Sequence, residues 1–225
     1  MLTPWSHAEV CHTLALDFRV RRPGQVNPTV RMVGLLFAQS RLRIAREEIV
    51  PNLTYFHHRS GDKIDFFCAG YGRYWYPQQE DQEAVTEDDK PWLFSLSLFG
   101  RFRDEVEQLS TWKYSGEADL LLMNAHIDPQ QASARLDFNS AVVCDLEQMK
   151  RDDAITSVPR FFEDIFRYAG KAPADDPAWG FSDKMGLHVA GSALKRVVLS
   201  LLPRKLDEDY RRAEHFAIRD IGPAA

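Results

Sequence analysis

The sequence predicts a mixed α/β domain, and three observations carry that expectation. Apolar residues recur with strand periodicity in some stretches and helical spacing in others. Turn-forming clusters such as RRPGQVNP (21–28) and DPQQA (128–132) separate these stretches. From residue 30 to residue 169 the elements then follow as β-α-β-α-β-β-α.

Taken in order, LALDFRV (14–20) sets Leu14, Leu16 and Phe18 against Asp17 and Arg19, the alternation of a half-buried strand ahead of the core. VRMVGLLF (30–37) is a continuous apolar run, as expected of a central strand covered on both faces. Ser40 is placed to cap a helix over 40–58, with Leu42, Ala45, Ile49, Leu53 and Phe56 on one side and Pro51 as a kink or break. KIDFFCAGYG (63–72) is the next strand, closed by Gly70 and Gly72. PQQEDQEAVTEDDKP (77–91) carries six acids and few large apolar groups, and reads as a solvated, mobile loop.

A second helix is expected over 92–114, from the spacing of Phe99, Phe102, Val106 and Leu109, with Ser115-Gly116 ending it. EADLLLMNAHI (117–127) and ARLDFNSAVVCDL (134–146) form a hairpin about DPQQA. PRFFEDIFRYA (159–169) is an amphipathic helix with Pro159 in its first turn. The sequence thus divides into an α/β core over 1–169, with acidic loop 77–91, and a helical extension over 170–225 packed on the core. Within the extension, the Pro/Asp-rich KAPADDPAWG precedes a helix over 183–202 that Pro203 stops, and the charged 207–220 segment is expected to be helical.

A right-handed crossover makes the first two core strands parallel, and the short DPQQA link makes the last two antiparallel. This is the element order of the thioredoxin fold, with 14–20 as an extra N-terminal strand and a helical C-terminal extension; the alternative is a doubly wound α/β sheet. Redox chemistry on such a fold would need a CxxC after the first core strand, where the chain reads FAQSRL (37–42), and a proline before the third, where it reads KYSGEADLLL (113–122). Neither is present, and the nucleophile of thiol–disulfide exchange is a thiolate, so that activity is disfavoured. Cys11, Cys68 and Cys144 lie far apart and read as reduced, buried thiols.

A chain of 225 residues buries roughly 70% of its unfolded surface without needing disulfides or metals. The formal net charge of −5 argues against a generally basic nucleic-acid-binding protein, though not against a local basic patch. No apolar run reaches the ~18–20 residues of a membrane span, and MLTPWSHAEVCHTLALDF lacks the pattern of a signal peptide, so a cytoplasmic protein without a membrane partner is expected. No phosphate-cradling glycine motif or GxSxG is present, and no cofactor is expected.

HHRSGDKIDFFCAGYG (57–72) reads as a helix end whose His57, His58 and Arg59 complement the terminal dipole, followed by a turn and a strand. Asp65 and Cys68 fall on opposite strand faces, so no metal site is expected there. Asp65, Glu117, Asp119, Asp137 and Asp145 all lie in or beside strands, and convergence of Asp65, Glu117 and Asp137 would make a metal-dependent hydrolase of a nucleotide or nucleic acid. Arg41, Arg43, Tyr71, Arg73, Tyr74 and Trp75 form a candidate binding surface of arginines and stackable rings. The leading expectation is a non-redox, thioredoxin-like interaction or scaffold module that binds a protein partner through this surface, with the question of catalysis left open. The alternatives are the hydrolase and a non-catalytic nucleic-acid-binding protein. The broad apolar face of 183–202 suits core packing first and a homo-oligomer interface second.

Overall fold

In the computed structural model, which describes residues 6–24, 26–60, 64–73, 81–87, 89–171, 190–203 and 217–224, the apolar run forms strand β1 (Thr29–Phe37) inside a five-stranded mixed sheet. Its neighbours are β2 (Ile64–Cys68), parallel, and β6 (Asp119–Asp128), antiparallel. β7 (Ser133–Asp145) returns against β6 as the expected hairpin, with a register shift between Met123 and Asn124. β8 (Ile218–Ile221) adds antiparallel to β7, so the order is β2-β1-β6-β7-β8.

Helices cover both faces, as the unbroken apolar character of β1 requires. Phe37 points to the face of α3 (Leu96–Leu109), where its ring meets Phe99 and Phe102. Gly34 and its partner Phe66 point to the opposite face, where Phe66 meets Phe162 and Phe166 of α5 (Val158–Lys171). A Cβ on Gly34 would approach the Phe66 ring to 2.9 Å, so the glycine makes room for an aromatic seated across the sheet.

Residues 14–20 are not a strand. They complete helix α1 (His7–Arg21), whose Ser6 hydroxyl accepts the Glu9 N–H. The buried residues are Val10, Leu14, Ala15 and Phe18, a helical set, and Leu16, which strand alternation would bury, is 51% exposed. α1 lies beside α3 and over the β6–β7 hairpin: the His7 N–H donates to Glu105 and the His7 ring stacks on Phe138.

The helix expected over 40–58 is divided. Ser40 does not cap it; its hydroxyl donates to Glu83 instead. A π turn at Ala45–Ile49 leads into a 3-10 turn at Val50–Asn52 and then α2 (Leu53–Arg59). Pro51 has no N–H to continue the helical ladder. The Val50 N–H therefore reaches back to Ala45 O, and Asn52 Nδ2 donates to the Glu48 carbonyl. His57, His58 and Arg59 do form a last helical turn, capped by Ser60; Gly61 lies outside the described residues.

The acidic stretch is likewise tied down where it is described. β4 (Gln82–Ala84) pairs with β5 (Leu93–Ser95), which pairs with β3 (Tyr71–Gly72), in a second sheet of order β3-β5-β4. Asp81 accepts from the Ser95 hydroxyl and from both the N–H and hydroxyl of Ser97, while Trp92 N–H donates to Thr86. Hydrogen bonds fix a segment whose composition offers little apolar burial; residues 77–80 and 88 lie outside the description. α3 begins at Leu96, with Ser95 accepting from Leu98 N–H, and ends at Ser110, short of the expected Ser115-Gly116 stop.

A short helix α4 (Leu146–Arg151) follows β7, with Asp145 accepting the Gln148 N–H. In the C-terminal extension, α6 (Ala190–Ser200) buries Leu194 and Val198 over β7 and β8; residues 183–189 of the expected helix lie outside the description. Residues 218–220, the end of the segment expected to be helical, instead belong to β8, so the extension contributes a strand as well as a helix. Among the described residues no helix is long and apolar enough to cross a membrane.

Candidate functional site at the end of β1

Beyond Phe37, β1 runs out into Ala38-Gln39-Ser40-Arg41. The β1–β6 register sets Asp119 opposite Phe37, and this brings residues 112–119 against the end of β1. The Phe37 and Trp112 rings sit 4.6 Å apart, centroid to centroid. Asp119 shapes the loop by accepting three hydrogen bonds, from Trp112 Nε1 at 3.1 Å, Ser115 N–H at 3.0 Å and the Ser115 hydroxyl at 2.9 Å. The Tyr114 N–H donates to Glu107, and its ring rests on Phe99 and Trp112.

The smaller sheet closes the other side. Tyr71 and Glu83 both stand opposite Phe94 in register, so they share a face, and the Tyr71 and Phe94 rings lie 4.9 Å apart. Glu83 accepts the Ser40 hydroxyl at 2.6 Å, fastening β4 to the end of β1. Two buried polar atoms here, Gln39 Oε1 and Tyr71 OH, have no hydrogen-bond partner among the described residues, and the Tyr114 hydroxyl, which faces the Gln39 N–H, has no acceptor for its own proton there. An unmet buried polar group costs about 1–3 kcal/mol, so each of these groups gains by contact with something else.

The electrostatics of the site are polarised. Burial pushes the Tyr114 hydroxyl up to about 12, the Asp119 charge adds to this, and the Gln39 N–H, Arg41 and Arg103 pull the other way. Burial raises Tyr71 well above the ordinary tyrosine value, with Cys68, Tyr114 and Glu83 adding to it. Both phenols therefore stay neutral and can donate. Arg41 is exposed and makes no ion pair among the described residues, whereas Arg103 pairs with Asp104. The thiols are held protonated by burial: Cys68 is pushed up to about 12, and Cys144 and Cys11 are also raised.

Of the binding residues read from the sequence, Arg41 stands at this site. Tyr71 is also here, but it is a correction to a surface role: pairing of β3 with β5 turns its ring inward, and it is fully buried. Arg73 donates to the Lys90 carbonyl. Tyr74 and Trp75 lie outside the described residues. Arg43 pairs with Glu47 and lines a different cleft of about 260 Å³, shared with Glu48, Lys150 and Arg151. The charges there are already matched: Glu48 holds Lys150 and the Val158 N–H at the start of α5, and Arg151 makes a two-pronged contact with Glu117.

The three carboxylates of the hydrolase reading are not brought together. Asp65 is buried against Arg31 at 3.1 Å; burial raises its pKa and Arg31 opposes the rise. Glu117 belongs to Arg151. Asp137 sits beside His126 and Asn139, whose hydrogen bonds outweigh burial and hold its pKa below the usual value. Asp137 pairs in register with Asn124, five residues along β6 from Asp119, which at about 3.3 Å per residue is roughly 17 Å of strand. No group of three or more potential ligands positioned for a metal occurs among the described residues.

Asp119 gives a testable pH dependence. Burial lifts its carboxyl to about 6, against the opposing hydrogen bonds from Ser115 and Trp112. The unfolded value is about 3.9, so the folded state binds a proton that the unfolded chain has released between those values. The resulting stabilisation is full below about pH 4 and lost as pH rises through about 6, on the order of 2–3 kcal/mol. Asp119→Asn keeps an acceptor for Trp112 and should flatten this part of the profile. Urea midpoints for both proteins at about pH 4.5 and 7.5 test it, since equal slopes would assign the pH dependence elsewhere.

No protein-family model matches this chain, and no curated protein or solved structure is found to be significantly similar to it.

Proposed function

We propose that the protein is a non-redox, thioredoxin-like interaction module whose partner docks at the end of β1, around Arg41. The thioredoxin likeness rests on strand order and direction: β2-β1-β6-β7 with β1 and β2 parallel and the next two antiparallel. The single observation that carries the site is the meeting of residues 37–42 and 112–119, where a redox relative would need a thiol and a proline. This chain instead sets Gln39, whose side-chain oxygen has no partner among the described residues, and the Tyr114 hydroxyl near Arg41, which makes no ion pair among those residues. Buried, protonated thiols supply no nucleophile, which favours binding over exchange chemistry. Arginine beside aromatic rings is a common composition for the centre of a protein contact.

A photoreactive residue in place of Arg41, with one in place of Arg160 on α5 as control, tests this reading in cell extract. Position 41 should yield a specific crosslinked protein and position 160 should not. The identified partner, purified, should then bind the Arg41→Glu chain at least about tenfold more weakly than the unaltered chain, a loss of ~1.4 kcal/mol. Trp75→Ala, two residues after Arg73 in the sequence, belongs in the same series. Equal binding by Arg41→Glu would place the contact elsewhere. Binding to single-stranded oligonucleotides that weakens steeply with salt would instead favour the nucleic-acid reading.

A further inference from the structure

We propose that Cys11 is a site of mixed-disulfide formation, attacking a small aliphatic disulfide such as oxidised glutathione while His7 takes the thiol proton. The site lies on α1, and it stands or falls independently of docking around Arg41.

The chain has three thiols, and burial separates them. Cys68 and Cys144 are fully enclosed in β2 and β7, out of reach of a reagent while the chain is folded. Cys11, in the second turn of α1, is only half-buried. His7 precedes it by one helical turn and so shares its face of the helix. The His7 Nε2 lies 3.7 Å from the Cys11 Sγ, within hydrogen-bonding reach of a sulfur atom. A thiol beside a positioned base is the pairing that makes a protein nucleophile.

The base is held in place from two further elements. Its ring stacks on Phe138 of β7, with centroids 6.4 Å and planes 30° apart, and its backbone N–H donates to Glu105 of α3 at 2.7 Å. Burial lowers the His7 pKa, against the pull of Glu105, and keeps the imidazole neutral near pH 7. With its ring proton on Nδ1, the neutral ring offers Nε2 as an acceptor. Burial raises Cys11, with the Leu136 N–H opposing, so the resting pair is a neutral thiol and a neutral base. A thiol of higher pKa gives the stronger nucleophile once its proton is gone, and the base removes that proton as attack begins.

The step balances without another reagent. The proton passes from Sγ to Nε2, and the sulfur attacks one sulfur of the small disulfide. The reagent's S–S bond breaks as the bond to Cys11 forms, and the departing thiolate leaves with the proton from His7. Cys11 is oxidised and half of the reagent is reduced to a thiol. The Leu136 N–H, which donates to Sγ, stabilises the negative charge on sulfur during the transfer.

The full chain is incubated with millimolar oxidised glutathione in native buffer, and adducts are located by intact mass and peptide mapping. One adduct should form, on Cys11, while Cys68 and Cys144 react only in urea. His7→Gln keeps the backbone N–H to Glu105 and should slow the adduct by at least about tenfold. The direction of the change is decisive, because a substitution that merely loosened α1 would expose Cys11 and speed the reaction. In urea, where the helix is gone, both chains should react at the same rate. No adduct on the native chain, adducts on Cys68 or Cys144 as fast as on Cys11, a native His7→Gln rate equal to or above that of the unaltered chain, or a difference that persists in urea would each overturn the proposal.

Discussion

Phe37→Ala is expected to cost about 3–5 kcal/mol, which for a chain of this size lowers the melting temperature by roughly 6–20 °C. Phe37 is fully buried and stands under the candidate site. Its ring touches three others, with centroids 4.6 Å from Trp112, 5.3 Å from Phe102 and 6.1 Å from Phe99. Truncation leaves a cavity walled by rings from two different segments, α3 and the loop at Trp112, which cannot all move in. Phe37→Leu, which keeps most of the volume, should cost less than half as much. Urea unfolding with an unchanged denaturant slope measures both, and a loss below about 1 kcal/mol for the alanine variant would mean that α3 collapses onto the sheet.

Gly70→Ala is the second large effect, at about 3 kcal/mol or more. Gly70 turns the chain between β2 and β3 at φ +77°, where an L side chain is strained. An added Cβ would also lie 2.7 Å from Phe99 Cβ and 2.9 Å from the Ser95 carbonyl oxygen. Backbone cannot yield as a side-chain tip can, and Ser95 N–H is bound to Gly70 O at 2.9 Å, so retreat breaks the link to β5. Gly34→Ala is the comparator: the three atoms nearest its added Cβ all belong to the Phe66 ring, and about 1–3 kcal/mol is expected. Thermal melts of the two variants should rank Gly70→Ala below Gly34→Ala; the reverse order would show that the turn relaxes more easily than the aromatic stack.

The core of the sheet was legible because its signals are local. The run 30–37 and the hairpin about DPQQA each declare themselves within a dozen residues, and both are strands as expected. Residues 14–20 misled because Leu14, Leu16 and Phe18 alternate by chance within a short window. The deciding signal lay upstream, in Ser6 and Glu9 of SHAE, which start a helix by the spacing of a capping box. That error carried over to Asp65. It lies buried beside Arg31, and the charges of Arg21 and Asp17 on α1 also act on its carboxylate.

The site was legible only in halves. FAQSRL and KYSGEADLLL could each be singled out as places where redox groups were missing. That Gln39 and Tyr114 face one another depends on Phe37 pairing with Asp119, across more than eighty residues of sequence, and no local pattern encodes it. Tyr71 was grouped with Tyr74 and Trp75 on ring content. The left-handed turn at Gly70 rotates it into the interior instead, a consequence that the glycine announces only once the pairing of β3 with β5 is known.

β8 has a consequence for how the chain is made. Synthesis delivers β1, β2, β6 and β7 long before residues 218–221, and until then Ala141-Val142-Val143-Cys144 has no partner on its outer side. A nascent or shortened chain therefore displays an apolar strand edge, a template that other chains can join. Gly222 and Pro223 then latch onto Thr111 and Ser110, and Ala224 onto Leu109, at the end of α3. These late-made residues thus seal the sheet and fasten the stem of the loop that bears Tyr114, so a ribosome-bound chain halted before residue 218 should be sticky and unable to bind, and extension past residue 224 should cure both at once.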